Sequence, residues 1–299
     1  MKNLIFDISP LAYRCLFSGE NVENFKMLGE NILRNDMLGH IMMFTQRFKP
    51  DKVFHCFDCL DLNWRKRLYN FYKEQRKDLK SKQDVNWDDF YAFLEKFHDE
   101  LRDNFPFVCL RHNSLEADDI AAHLVRRYSC DTNVIITNDG DYLQLLKYKN
   151  VSVHNCITGK KMEIEGSPQR YLELKIMTGD KSDNLPAIRP RIGPETAIKL
   201  LDSGEIHKLL EEKDPNGDPC ELRRNYERNK HLIDLENTPQ ELLMSLENLI
   251  DDYQMKDTKN LVTYIREHRL RSLMDNIANI RQALSKLVVA PEIPLGQPL

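Results

Sequence analysis

No stretch of the 299-residue chain approaches the 18 or more apolar residues that a membrane span needs, and the first acid, Asp7, arrives too early for a signal peptide. A soluble, cytoplasmic protein without a membrane partner is expected. Cysteine is too sparse for a disulfide framework: seven residues, an odd number, are spread along the chain, as where thiols stay reduced. Cys56-x-x-Cys59 lacks a second pair and an adjacent His, so it reads as two ordinary thiols rather than zinc ligands. No strong charge of one sign exists either, since 43 Lys and Arg meet 47 Asp and Glu for a net -4, and no internal repeat is visible. What is present, 41% hydrophobic residues with 9% aromatic, is enough for a core and excludes disorder and collagen-like repeats. The length fits one large domain or two smaller ones.

The first half alternates short β-type runs with helical patterns, the signature of an α/β protein with a doubly wound, mainly parallel sheet. The runs are Leu4-Ile5-Phe6, Lys52 to Phe57, Phe107 to Leu110, Val134 to Thr137 and Val151 to His154. Helical spacing runs through Met27 to Phe48, Ile120 to Tyr128 and about Tyr142 to Leu146. After about Ser167 nothing reads as a strand; helices are expected over Arg170 to Thr178, Pro194 to Leu201, Leu222 to Leu235, Gln240 to Gln254 and Asn260 to Val288. Thr238-Pro239-Gln240-Glu241 has the spacing of a capping box with Pro at the first helical position. The expected organisation is an α/β core at 1–166, a helical region at 167–289 and a flexible Pro-rich tail at 290–299.

In such a sheet, ligands bind beyond the carboxyl ends of the strands. Here those ends are acidic: the first strand meets Asp7, the second Asp58 and the fourth Asp139-Gly140-Asp141, while Ser114 is placed to cap a helix opening with Glu116, Asp118 and Asp119. Any one of these acids alone suits a helix dipole or a turn. Seven on one rim would repel one another in a partly desolvated crevice unless cations neutralise them. Hard divalent ions, Mg²⁺ or Mn²⁺, choose such oxygen donors. Asp180 and Asp183, three apart, share a face of a helical turn and extend the set to nine. Without those nine the rest of the chain carries a small positive surplus, so an anionic substrate is compatible with the mildly acidic total.

The connection between the second and third strands is about 48 residues, far beyond what a βα unit needs. Within it, Trp64 to Lys82 holds eight Lys or Arg against Glu74 and Asp78, interleaved with Trp64, Tyr69, Phe71 and Tyr72. Arg65, Lys66, Arg67, Lys73, Arg76, Lys77 and Lys80 supply charge for phosphates, and aromatic rings such as Tyr72 can stack bases, the combination that single-stranded nucleic acid requires. From Asp84 to Asn104, Trp87, Phe90, Phe93, Leu94, Phe97 and Leu101 repeat at helical spacing and read as packing residues that hold this basic arch, about 62–105, over the cleft.

The ordered set Asp7, Asp58, Tyr72-Lys73-x-x-Arg76, Glu116-Ala117-Asp118-Asp119, Asp139-Gly140-Asp141 and Gly179-Asp180-x-x-Asp183-Asn184 resembles the 5′-nuclease family. That family comprises flap endonucleases, the 5′→3′ exonuclease domains of bacterial DNA polymerase I and phage exonucleases. Trp64 to Arg67 leading to Tyr72-Lys73, Asp139 to Leu145, and Asn229 to Leu235 resemble the branch of T-even phage ribonuclease H. The resemblance spans about residues 3 to 236. It implies a PIN-like sheet crossed by a helical arch, then a helix-hairpin-helix-like element that grips duplex DNA. By the same resemblance, Asp7, Asp58, Glu116, Asp118, Asp119, Asp139, Asp141, Asp180 and Asp183 match acids that hold two divalent ions, and Lys73 and Arg76 match the basic pair facing the scissile phosphate. Ile8 stands where the family usually has Gly, as it does not in the T-even branch. Ala187 and Pro190 replace glycines of a hairpin that often binds K⁺, which weighs against K⁺ here, whereas Arg189, Arg191, Gly193 and Lys199 keep a duplex contact.

These groups fit two-ion phosphodiester hydrolysis, with Asp7, Asp58, Asp139, Lys73 and Arg76 at its centre. Expected substrates are branched, nicked or RNA-primed duplexes, acted on by a monomer in the cytoplasm, that of the host if the chain is phage-encoded. A sliding clamp or single-strand-binding protein is a partner the resemblance suggests. A haloacid-dehalogenase-type phosphatase would need Asp-x-Asp after the first strand, where this chain has Asp7-Ile8-Ser9. An inactive binder of branched DNA would show a substituted acid, and none of the set is missing.

Overall fold

The computed structural model describes residues 1–60 and 62–287. The apolar runs become β1 (Lys2–Asp7), β2 (Lys52–Phe57), β3 (Val108–Arg111), β4 (Thr132–Thr137) and β5 (Val151–Asn155). They form a parallel five-stranded sheet in the order β3-β2-β1-β4-β5. Helices α1 (Ile8–Leu16), α2 (Asn21–Leu28) and α3 (Asn31–Phe48) connect β1 to β2; α4 (Trp64–Leu68), α5 (Arg76–Ser81) and α6 (Trp87–Asn104) connect β2 to β3; α7 (Ala117–Arg127) connects β3 to β4. Beyond the sheet come α8 (Pro168–Thr178), α9 (Pro194–Asp202), α10 (Glu205–Glu211), α11 (Glu221–Ile233), α12 (Gln240–Asp251), α13 (Leu261–Glu267), α14 (Arg271–Asp275) and α15 (Ile277–Leu284). Among the described residues no helix is long and apolar enough to cross a membrane.

Because successive strand residues point to opposite faces, the apolar runs feed two cores at once. Leu4, Phe6, Val134 and Ile136 face α3, α6 and the C-terminal helices through Met37, Ile41, Phe93, Phe97, Tyr264 and Ile280. Ile5, Phe54 and Ile135 face α7 and α12 through Ile120, Leu124, Leu246 and Ile250. Each such buried Leu, Ile or Phe contributes roughly 1.5–3 kcal/mol relative to its exposed state. A third core joins α8, α9, α10 and α11 through Ile176, Met177, Ala197, Ile206 and Leu232, and it includes Tyr72 from the arch.

Several elements differ from expectation. Helix α1 was not anticipated; it starts directly after Asp7 with Pro10 in its first turn, where a missing N–H is harmless. The single helix expected over Met27 to Phe48 is two, parted at Gly29, whose φ of 75° few other residues adopt. The helix near Tyr142 is a 3₁₀ helix over Gly140–Lys147. Ser114 does not cap α7; the N-cap is Glu116, whose backbone N–H donates to the Asp119 carboxylate at 3.0 Å. Helix α12 begins as expected, but Thr238 turns away from it and donates to Asp119 Oδ1 at 2.9 Å, so the capping box does not form. The run from Asn260 is broken into α13, α14 and α15, and Arg269, with φ 52°, parts the first two. The tail at 290–299 lies outside the described residues.

Candidate active site

The strand order reverses between β1 and β4, since the chain winds outward through β2 and β3 and then returns to the other side of β1. Such a reversal opens a crevice at the carboxyl ends. Asp7 closes β1 there, 5% exposed, and accepts from Thr137 Oγ1 at the end of β4 at 2.9 Å. The same hydroxyl accepts from the Asp139 N–H at 3.0 Å, and Asp139 in turn caps the following 3₁₀ helix by accepting from the Asp141 N–H at 2.9 Å. Asp58, after β2, accepts from Ser9 Oγ of α1 and from the Ala117 N–H of α7, the latter at 3.0 Å. Asp118 adds a carboxylate from the first turn of α7. All four acids line one cleft of about 490 Å³, together with Tyr13, Arg14, Lys73, Arg76 and Tyr142.

The electrostatics of this group are those of a largely uncompensated cluster, in which only Asp118 has a cation, Arg65 at 3.6 Å. Burial pushes the Asp7 carboxyl well above its ordinary range, and Asp58 and Asp139 push it further. Asp118 is also raised, by burial and then by Asp119 and Glu116, against the opposing effect of Arg65. Among the described residues Asp7, Asp58 and Asp139 make no ion pair with Lys or Arg. Hard oxygen donors that repel one another in a partly buried crevice fit a divalent cation.

A different role falls to the neighbouring acids. Asp119 is wholly buried, and its oxygens accept from Trp64 Nε1 at 3.0 Å, Arg65 Nη1 at 2.8 Å, Arg65 Nη2 at 2.9 Å and the groups of Glu116 and Thr238 already described. With no free lone pair facing the cleft, it braces the site instead of ligating an ion, which corrects the sequence expectation. Arg65 is corrected likewise: 1% exposed, it spends its guanidinium on Glu116, Asp119 and the Leu232 carbonyl and cannot reach a phosphate. Tyr72 is 2% exposed, packed in the third core, so it offers no face for base stacking. Its hydroxyl lies 2.8 Å from Glu116 and 2.9 Å from Asp183. Trp64 is buried too, leaving Phe71, 57% exposed, as the most accessible ring of the segment.

Glu116 therefore acts as a hub. One oxygen receives Tyr72 and Arg65 and the other receives the Lys73 ammonium, which keeps Glu116 down at about 2 despite burial. Burial alone would lower the Lys73 ammonium, but Glu116 and Asp183 raise it above its ordinary range, so Lys73 stays cationic. Arg76 Nη2 pairs with Asp183 at 2.8 Å. Both cations line the same cleft as the strand-end acids.

A second acidic group flanks the first. Asp141, Asp180 and Asp183 bring one carboxylate oxygen each to within 4.8 Å of one another. Asp180 is seated by a two-way backbone pair with Leu185, at 2.9 and 2.8 Å, and caps the short turn Lys181–Asp183. Lys175 of α8, a residue the sequence reading passed over, pairs with both Asp141 and Asp180. Its charge and the Ser182 donors outweigh burial and bring Asp180 to about 2. Helical spacing gave the signal, for Tyr171 and Lys175 lie four apart on α8 and both reach the Gly140-Asp141 turn.

Of the remaining candidates for nucleic-acid contact, Arg67, Lys77, Arg189, Arg191 and Lys199 are exposed, and Lys66 and Gly193 are half-buried. Lys80 is held: it donates to the Tyr91 hydroxyl and lies over the rings of Tyr91 and Trp87 at 4.6 and 5.4 Å, clipping α5 to α6. Beneath that clip a second cavity of about 500 Å³, lined by Tyr13, Lys80, Tyr91 and Arg111, meets the first at Asp58, Arg76 and Glu116.

A family model described as the 5′-3′ exonuclease N-terminal resolvase-like domain matches residues 2–173, more than half of the chain. The chain belongs to the 5′-3′ exonuclease family. It is thus a nuclease, and the haloacid-dehalogenase reading of Asp7 falls away. Ribonuclease H of Enterobacteria phage T4 is 26% identical over 280 residues, covering 86% of this chain and 89% of the phage protein. DNA polymerase I of Caldicellulosiruptor bescii is 32% identical over 231 residues, 71% of this chain, while the chain spans 25% of the polymerase's length. In fold, a bacteriophage T5 flap endonuclease solved with DNA and metal ions is similar with a TM-score of 0.65 at 18% identity, over 84% of this chain and 98% of the T5 chain.

Proposed function

We propose that this family member is a divalent-metal-dependent 5′ nuclease that hydrolyses phosphodiester bonds near the 5′ ends of branched, nicked or RNA-primed duplexes. The observation that carries the reading is the convergence of Asp7, Asp58, Asp118 and Asp139 at the sheet's reversal point, in one cleft with Lys73 and Arg76. The names of the T4 ribonuclease H and of the DNA-bound T5 flap endonuclease support the choice of nucleic acid. Asp7, Asp58, Asp118 and Asp139 would hold one Mg²⁺ or Mn²⁺, and Asp141, Asp180 and Asp183 a second. When bound, such a pair supplies an activated water at neutral pH and charge stabilisation for the leaving oxygen.

The chain's own cations do the rest. Lys73 and Arg76 neutralise charge that builds on the phosphoryl oxygens, and Glu116 keeps Lys73 protonated and aimed. Exposed Arg67, Lys77, Arg189, Arg191 and Lys199 meet backbone phosphates, while the half-buried Lys66 and Gly193 at the start of α9 lie beside them. In the test, 5′-labelled flap DNA, nicked duplex and RNA-primed duplex are incubated with Mg²⁺, with EDTA, and with the Asp139→Asn variant. Short 5′ fragments that need Mg²⁺ and vanish in the variant are expected. Tight binding of branched DNA without cleavage would instead make the protein an inactive binder.

A further inference from the structure

The carboxylates that line the cleft and the acidic group that flanks it are neutralised differently. Among the described residues, Asp7, Asp58 and Asp139 meet no Lys or Arg within ion-pair distance. In the second group every acid already has a cation: Asp141 and Asp180 share the Lys175 ammonium, which is 2.8 Å from Asp180 Oδ2, and Asp183 has Arg76 at 2.8 Å. Lys175 is no loose surface chain. It is 16% exposed, on a helix locked to the acidic turn by Tyr171, whose hydroxyl donates to the Gly140 carbonyl at 3.1 Å. The ammonium thus lies between two of the three carboxylates that come close enough to share an ion.

We propose that Lys175 is a built-in counter-ion that competes with a divalent cation for the Asp141, Asp180 and Asp183 group. The free protein then takes one divalent ion readily, at the strand-end acids, of which Asp7, Asp58 and Asp139 have no counter-ion and Asp118 has Arg65 at 3.6 Å, and a second only against Lys175. Extra negative charge from a phosphate backbone in the cleft draws Lys175 off the carboxylates and favours the second ion, so loading is coupled to substrate. This inference rests on the reading of both groups as cation sites. It concerns a positioning residue, because Lys175 acts through the carboxylates.

The test is Mn²⁺ binding to the full chain without nucleic acid, followed by calorimetry and by the electron paramagnetic resonance of free Mn²⁺, for wild type, Lys175→Met, Lys175→Gln and Lys175→Arg. The wild type is expected to bind one ion at least tenfold more tightly than the second. Both neutral variants tighten the second ion at least tenfold and leave the first unchanged, whereas Lys175→Arg, which retains the charge, keeps it weak. A second-ion affinity unmoved or weakened in the neutral variants overturns the role of Lys175. Absence of any tight ion in the wild type overturns instead the reading of the strand-end acids as a metal site. Melting curves identify a misfolded variant, and Lys175→Gln, which keeps hydrogen-bond donors toward both carboxylates, carries the test should Lys175→Met not fold.

Discussion

At Lys73 the backbone sits at φ 55°, a region an L-residue enters only when its surroundings enforce it. The enforcement is visible: its N–H donates to the Asp183 carbonyl at 2.9 Å and its ammonium to Glu116. Strain of this kind at a cleft residue favours a role in positioning charge. Replacing Lys73 with Ala keeps the backbone requirement and removes the charge, and loss of one such group from a transition state typically costs about 3 kcal/mol, roughly a hundredfold in rate. Single-turnover cleavage should fall by about that factor while binding of a flap substrate changes little; equal losses in both would remove Lys73 from the chemistry. Residue by residue, the strand-end acids were legible because a charge directly after an apolar strand has few other places to go. Arg65 was not, because a five-residue helix such as α4 has too few turns for spacing to separate a buried face from a wet one, and neither was Tyr72, which lies in the turns beyond that helix, where no helical period applies. Asp118 and Asp119 show the same limit, one lining the cleft and its neighbour sealed beneath it.

Elements bring these residues together, and one loop depends on a glycine. Gly179 has φ 70°, and a Cβ there would lie 2.2 Å from the Leu185 carbonyl oxygen and 2.5 Å from Pro186. Gly179→Ala must distort the backbone pair that seats Asp180, and we expect a loss on the order of 3 kcal/mol in urea unfolding. Gly193 is the internal contrast, with an ordinary φ of -97° and nothing within 4 Å of an added Cβ. Gly193→Ala should unfold like wild type, so weakened duplex binding in that variant would report close approach of a phosphate backbone. Unchanged stability in Gly179→Ala would contradict the packing account. The arch was legible as a long basic insertion and α6 as its amphipathic support. Its path was not, because Tyr72 joins a core built by helices about a hundred residues later, a contact no local pattern encodes.

Across the whole molecule the sheet was the most legible feature, since strands buried on both faces read as unbroken apolar runs. Within it, His55 of β2 is fully buried, with ring centroids 5.0 Å from Phe6 and 4.8 Å from Phe107. Burial, with a smaller effect from His98, lowers it from 6.5 to about 3. The unfolded chain therefore takes up this proton first as pH falls, so the stability from a neutral His55 is complete above about 6.5 and drains away toward about 3. Within that window the unfolding free energy of wild type should fall more steeply than that of His55→Leu, by up to about 1.4 kcal/mol per pH unit. Parallel lines would show that His55 is not held neutral.

The two faces of that sheet, the arch and the helical region meet at one crevice, and the account stands on the acids there. The decisive measurement is single-turnover cleavage and binding of one 5′-flap substrate in Mg²⁺, by wild type and Asp7→Asn. Asn is nearly isosteric and removes a charge that Asp58 and Asp139 oppose, so the metal-free variant should melt no lower than wild type. Binding within about threefold of wild type and cleavage reduced by a hundredfold or more, on the order of 3 kcal/mol, are expected of the variant. Cleavage at the wild-type rate, or lost only in step with binding, would contradict the account.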